Sequence, residues 1–300
     1  MTALVLSPLF DLRTTYFLIA GIAGVIPKVA TLGSVTFARY AVQVALQYEF
    51  DPREIPSNFT TGYVPQGSTS TTQYPQSIYG TEVFELNDAL RKTAVAFART
   101  ATLNDSSAAI AYRANYATAT AFAAGAKTPS VVECDVATSD NYFSGNFLSE
   151  AFENTTRLFT NGSGTYCTTA QEDNATLEAL LRGAVNNLTD FSRIIVMRTA
   201  SDFDRPYPGE AATFNLFYAD QGGFEPAIQN IYLAGMKVVM GILAGWEGVF
   251  CGGIKAGNYV GDIFGSLGGK PDFGPVSAFN NNPVVPLRRR GIKGVRARRG

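Results

Sequence analysis

The chain has 300 residues and not one of them is histidine. That absence excludes Ser-His-Asp and Cys-His nucleophilic catalysis, a His-Glu-x-x-His zinc site and any histidine pH switch. Only three cysteines are present, so a closed zinc site of the usual ligands is excluded as well, and no metal or cofactor is expected. Long uncharged apolar runs are also missing. A bilayer span needs about 20 largely apolar residues. The run 17–26 is too short, and the run 231–250 carries Lys237, Glu247 and several glycines. The expectation is that no segment crosses a membrane, and the first residues lack the basic and apolar regions of a signal peptide. Basic residues are scarce outside the last thirteen positions. Seven of the 24 lie there (Arg288, Arg289, Arg290, Lys293, Arg296, Arg298 and Arg299), leaving 17 against 25 acidic residues, a net charge of −8. Affinity for phosphate backbones rests on clustered Lys and Arg, so no nucleic-acid partner is expected. The basic end, 284–300, reads as a solvated tail.

What is present is enough for a large core. The sequence is 46% hydrophobic and 12% aromatic, which excludes a mainly disordered chain. Residues 14–20 are a continuous apolar run, as in a strand buried on both faces. It leads into Gly21-Ile22-Ala23-Gly24, which reads as a glycine turn. Further strands are expected over 34–44, 130–136, 165–169 and 193–199. Helices are expected over 87–101, the alanine-rich 106–127, 146–160, 173–185 and 224–246, and 49–80 reads as loop. Strands alternating with helices indicate an α/β domain, here 1–283, with a largely parallel sheet. Six Asn-x-Ser/Thr sequons, at Asn58, Asn104, Asn154, Asn161, Asn174 and Asn187, lean towards a glycosylated protein of the secretory pathway or cell surface. Cys134 and Cys167 lie in separate segments and could pair, which would leave Cys251 over.

In α/β sheets, ligands sit at the carboxyl ends of strands. Gly21-Ile22-Ala23-Gly24, Asp140-Asn141-Tyr142-Phe143, Gln171-Glu172-Asp173 and Arg198-Thr199-Ala200-Ser201-Asp202 all fall at such ends. Singly, each has a plain structural reading. The glycines could be only a turn, the Tyr-Phe pair only packing, Glu172 and Asp173 only a helix N-terminus, and Arg198 only a surface ion pair.

Taken together and in this order, these segments resemble the nucleoside phosphorylase/nucleosidase superfamily. Residues 16–50 and 190–206 look most like the fungal purine nucleoside permeases, some of which are purine nucleosidases, and the resemblance covers about 3–275. It implies a three-layer domain with a mixed, largely parallel sheet flanked by helices, purine nucleoside as the partner molecule, and a homo-oligomer by analogy. It further implies that Gly21, Ala23 and Gly24 lie beneath sugar and nucleophile, and that Tyr142 and Phe143 hold the base. Glu172 and Asp173 would grip the ribose hydroxyls, and Arg198 would accompany Asp202, the acid that protonates the purine. Ile22 stands where phosphorylases carry a phosphate-touching hydroxyl, which favours water as nucleophile. Family members begin with a further N-terminal portion, so this chain is expected to lack the first strands. The expected activity is purine nucleoside hydrolysis, with nucleoside uptake or phosphorolysis as alternatives.

Overall fold

Strands built from unbroken apolar runs belong in the middle of a structure, because a strand covered on both faces has no use for polar alternation. In the computed structural model, which describes residues 1–271 and 273, that position falls to β1 (Phe17–Val25) and β10 (Ile194–Phe203). They pair in parallel over nine registered positions, from Phe17 opposite Ile194 to Val25 opposite Phe203. Before β1 lies a short helix α1 (Thr2–Val5), and after it come β2 (Val35–Ala38), β3 (Tyr40–Gln43), β4 (Gln47–Glu49), β5 (Tyr63–Pro65), β6 (Val83–Glu85), α2 (Asp88–Ala98) and α3 (Ser107–Arg113). The chain continues through β7 (Val131–Glu133), β8 (Asp135–Thr138), α4 (Asn146–Phe159), β9 (Tyr166–Ala170) and α5 (Asp173–Val185) to β10. It closes with α6 (Ala212–Phe217), α7 (Phe224–Ala244) and β11 (Gly261–Asp262). The main sheet has the order β11-β6-β3-β8-β9-β1-β10-β2-β7, and β4 and β5 form a separate hairpin. It is mixed: β1/β10, β2/β7, β3/β8 and β8/β9 are parallel and the other ladders antiparallel.

The sheet also closes on itself. Only Arg39 separates β2 from β3, and only Cys134 separates β7 from β8. β10 pairs with β2, whose continuation β3 pairs with β8; β8 pairs with β9, β9 with β1, and β1 with β10 again. Asp135 absorbs the break where both strands change partner. Its Oδ1 accepts the backbone N–H of Arg39 (2.9 Å) and Tyr40 (2.8 Å), and its Oδ2 accepts that of Thr165 (2.7 Å). These bonds satisfy amides that a broken ladder would leave bare. Burial pushes the Asp135 carboxyl pKa up, and the amide donors oppose it.

Helices flank the sheet. Leu90 and Ala94 of α2 and Val238 and Ile242 of α7 pack with Val35, Phe37, Ile195 and Met197 of the sheet. Leu177, Leu180 and Leu181 of α5 pack with Phe84, Val136 and Val196. Phe152 and Phe159 of α4 pack with Val25, Ala137 and Phe203. The starts of α2 and α3 follow capping chemistry: the Asn87 side chain accepts from Ala89 and Leu90 N–H, and that of Ser106 from Ala109 N–H.

Three expectations are corrected. Gly21–Gly24 form no turn, since pairing with β10 holds them in strand β1. The alanine-rich stretch is α-helical only to Arg113 and continues as two short 3₁₀ turns, broken at Ala119, whose backbone is extended (φ −110°, ψ 119°). There Tyr116 is buried and its hydroxyl donates to the Arg205 carbonyl, a tertiary anchor that overrides helix propensity. Finally, α7 is long and apolar enough to cross a membrane by length and composition, contrary to the expectation that no segment is. In this fold it lies on the sheet, burying Ala234 and Val238 and leaving Tyr232, Met240 and Leu243 exposed. The basic tail 284–300 lies outside the described residues.

Cys134, at the junction of β7 and β8, and Cys167 of β9 form a disulfide, 33 residues apart in sequence, and Cys251 is an exposed free thiol. Closing a loop of that length removes about 3–4 kcal/mol of chain entropy from the unfolded state. Replacing both cysteines by serine is therefore expected to lower stability by about that amount, read as a lower denaturant midpoint. An unchanged midpoint would contradict it.

Candidate functional site

The carboxyl ends of β1, β8, β9 and β10 meet around a cavity of about 290 Å³. β1 contributes Ile22, Ala23 and Gly24, and the segment after β8 contributes Ser139, Tyr142 and Phe143. Thr169 and Glu172 come from the end of β9, and Ser201, Asp202 and Asp204 from the end of β10. A second cavity of about 290 Å³ shares Ile22, Tyr142, Ser201 and Asp202 and extends to Asn215, Asp220, Gln221 and Phe224. Asp202 and Tyr142 thus stand at the junction of the two.

Asp202 is held at both oxygens. Ser201 Oγ donates to its Oδ1 at 2.6 Å and the Tyr142 hydroxyl to its Oδ2 at 2.9 Å. Burial pushes the Asp202 carboxyl above its usual pKa; the two hydroxyls pull it down and the nearby Asp204 charge pushes it up. Ser201 and Asp202 both reach the cavity because the β1/β10 register slips there: Ala23 faces Ala200, Gly24 faces Asp202, and Ser201 has no partner. Such a bulge breaks the alternation that would send neighbouring side chains to opposite faces. Tyr142 is 65% exposed, whereas Phe143 is buried edge-on against Phe152 of α4, ring centroids 4.7 Å apart.

Behind the cavity wall lies an ion cluster. Arg198 of β10 donates from Nε to Asp173 Oδ2 (3.1 Å), from Nη2 to Asp173 Oδ1 and to Glu172 Oε2 (3.1 Å), and from Nη1 to the Ile22 carbonyl (3.2 Å). Gly21 makes room for it, since a Cβ there would lie 2.5 Å from Arg198 Nη1. Gly24 serves the same purpose opposite Thr169: a Cβ would come within 2.9 Å of Thr169 Oγ1 and 3.3 Å of Asp202 Oδ2. The Thr169 hydroxyl accepts the Gly24 N–H at 3.0 Å. The Asp173 side chain is fully enclosed, while that of Glu172 is 65% exposed. Of the two carboxylates expected to grip a sugar, only Glu172 faces the cavity. Asp173, Arg198 and Gly21 form its support.

Thr169 and Asp204 were not singled out by sequence reasoning, and Ser201 was named only as part of the Arg198–Asp202 segment, with no role of its own. Ser201 carried a signal, its place beside Asp202 after an apolar strand; Thr169 and Asp204 carried none. Asp204 sits in a buried brace, accepting from Arg205 Nε (2.9 Å), Arg205 Nη2 (3.0 Å) and the Tyr166 hydroxyl (2.7 Å). No Lys or Arg is among the described residues lining the first cavity. Nor do the described residues contain a group of three or more His, Cys, Asp or Glu placed to hold a metal ion.

This chain belongs to the purine nucleoside permease family, whose model matches residues 1–255. A purine nucleoside permease of Candida albicans is 48% identical over 283 residues, covering 92% of this chain and 69% of the relative. A probable purine nucleoside permease of Schizosaccharomyces pombe is 39% identical over 253 residues, covering 82% and 72%. Among solved structures, the chain is similar to the 5′-methylthioadenosine/S-adenosylhomocysteine nucleosidase of Neisseria meningitidis in complex with methylthio-immucillin-A, at 15% identity over 79% of this chain and 73% of that one, TM-score 0.40. It is also similar to the futalosine hydrolase of Helicobacter pylori, at 13% identity over 79% and 72%, TM-score 0.38.

Two outcomes follow from the geometry. Tyr142→Phe removes a hydrogen bond that stabilises the ionised Asp202, so the carboxyl pKa should rise further. A carboxyl-carbon NMR titration reads this, and a fall would contradict it. Asp173→Ala leaves the Arg198 charge buried with only the exposed Glu172 beside it, which should cost about 3–5 kcal/mol. A thermal melt close to that of the parent protein would show the ion cluster to be dispensable.

Proposed function

We propose that this chain hydrolyses the N-glycosidic bond of purine nucleosides, with Asp202 as the acid. The observation that carries the reading is a carboxyl of raised pKa at the junction of two cavities, held in place by two hydroxyls. Cleavage of this bond passes through an oxocarbenium-like state, which a proton delivered to the departing purine and hydrogen-bond acceptors on the sugar both favour. Asp202 gives its proton to N7 as the C1′–N9 electrons leave with the base. Water adds to C1′, and the proton it releases returns to the carboxylate through solvent. Glu172 accepts from the ribose hydroxyls, Phe143 walls the base pocket, and the Tyr142 ring stacks on the base. Ala23 and Gly24 form the floor, with Gly21 and Arg198 behind it. Water is favoured over phosphate because Ile22 offers no donor and the described lining has no cation.

The relatives' names favour a second reading, nucleoside binding for uptake. Incubation with inosine or guanosine, with and without phosphate, separates the possibilities. Free base and ribose at a rate independent of phosphate are expected, with a loss on the order of 10²–10⁴-fold in Asp202→Ala. Ribose 1-phosphate as product, or turnover that survives Asp202→Ala, would overturn hydrolysis by this acid. Binding without base release would establish the uptake reading instead.

A further inference from the structure

The six sequons are chemically equivalent as sequence, and the fold makes them very unequal. Asn174, in the first turn of α5, is only 4% exposed. Its Oδ1 accepts from Thr138 Oγ1 at 2.8 Å and its Nδ2 donates to the Thr81 carbonyl at 2.7 Å, tying α5 to β8 and to the approach to β6. A sugar on that nitrogen would have to fit where protein is packed. Asn104 is exposed, but its Nδ2 donates to Gln229 Oε1. Asn154 lies inside α4, where the chain continues as regular helix to Phe159.

Asn161 and Asn187 differ from these in the same way. Each follows the carboxyl end of a helix, α4 and α5 respectively, and each is exposed. Both hold a left-handed backbone, φ 51° and 57°, the conformation that asparagine adopts more readily than most residues and that turns its side chain out of a helix end. The amino ends of the same two helices adjoin the cavities, through Ser144 before α4 and Glu172 before α5. With 14 and 13 residues, the helices place their far ends roughly 20 Å away at about 1.5 Å per residue. A second, independent feature points to the compartment in which such groups are added: the buried Cys134–Cys167 disulfide, of a kind that persists in oxidising surroundings.

We propose that Asn161 and Asn187 carry N-linked glycans, placed on the end of the fold opposite the cavities, and that Asn174 stays unmodified. The glycans shield that end and leave the mouth of the site open. The inference does not depend on which reaction the site performs.

The test is to pass the full chain through the secretory pathway of a yeast host and release its glycans enzymatically in heavy-oxygen water. Peptide mass mapping is then expected to find the mass label at positions 161 and 187 and none at 174. Asn161→Gln and Asn187→Gln should each remove one electrophoretic step, with only a small fall in the thermal melt, since glutamine adopts the left-handed backbone less readily than asparagine. Unlabelled Asn161 and Asn187 in protein whose Cys134–Cys167 bond has formed would overturn the proposal. So would a folded chain that carries its glycan at Asn174.

Discussion

The contact on which the site depends is the buried guanidinium of Arg198. It joins three elements: β10 carries it, β1 receives it at the Ile22 carbonyl, and α5 receives it at Asp173. A buried ion pair owes its favourable balance to complete hydrogen bonding, because removing two charges from water costs several kcal/mol per ion. Here the geometry is close to complete, with Nε, Nη1 and Nη2 all engaged. The glycine at position 21 is a consequence, since any side chain there would displace the guanidinium. The position of Glu172 is another. Its neighbour is locked down, so Glu172 is left at the cavity with one oxygen tied to Arg198.

Asp202 is buried with different partners. Among the described residues no cation bonds it, and the two hydroxyls that hold it are weaker partners than an arginine would be. Desolvation therefore prevails and the carboxyl pKa is raised. Burial pushes both carboxyls up, but at Asp173 a guanidinium opposes it through two hydrogen bonds, whereas at Asp202 only two hydroxyls do. Tyr142 sits on the boundary between them and the solvent. Its hydroxyl steadies the carboxylate while its ring remains largely open, so a planar ligand could approach that ring without displacing core residues.

The helices at 146–160, 173–185 and 224–246 were legible to within two residues at either end, since amphipathic spacing and long apolar faces are local properties. So were β9 and β10 in outline. What could not be read was long-range. Nothing local says that Gly21–Gly24 continue a strand, because the pairing that straightens them comes from residues 198–202, far along the chain. The break at Arg39 and the closure of the sheet depend on Asp135, whose role as an acceptor for three amides has no sequence signature. For the site, the segments were correctly brought together as a group, but exposure was not readable. Glu172 and Asp173 are adjacent and chemically alike, and one residue of helical rotation puts the first at the cavity and the second in the interior. The bulge that admits Ser201 beside Asp202 belongs to the same class of feature.

The absence of histidine acquires its meaning from the charges that remain. Around the cavity, Arg205 neutralises Asp204, and Arg198 is shared by Asp173 and Glu172, which leaves one negative charge in excess. A neutral ligand enters such a site without electrostatic cost. A phosphate dianion does not: each like-charge pair at about 6 Å costs about 3 kcal/mol at an effective dielectric constant of 20, with no cation in the described lining to offset it. A histidine at the position of Asp202 would add positive charge when protonated and make the same cavity more hospitable to anions. A carboxyl adds no positive charge in either protonation state. The same lack of histidine that excludes the familiar nucleophilic mechanisms leaves a cavity whose charges favour uncharged ligands over anions.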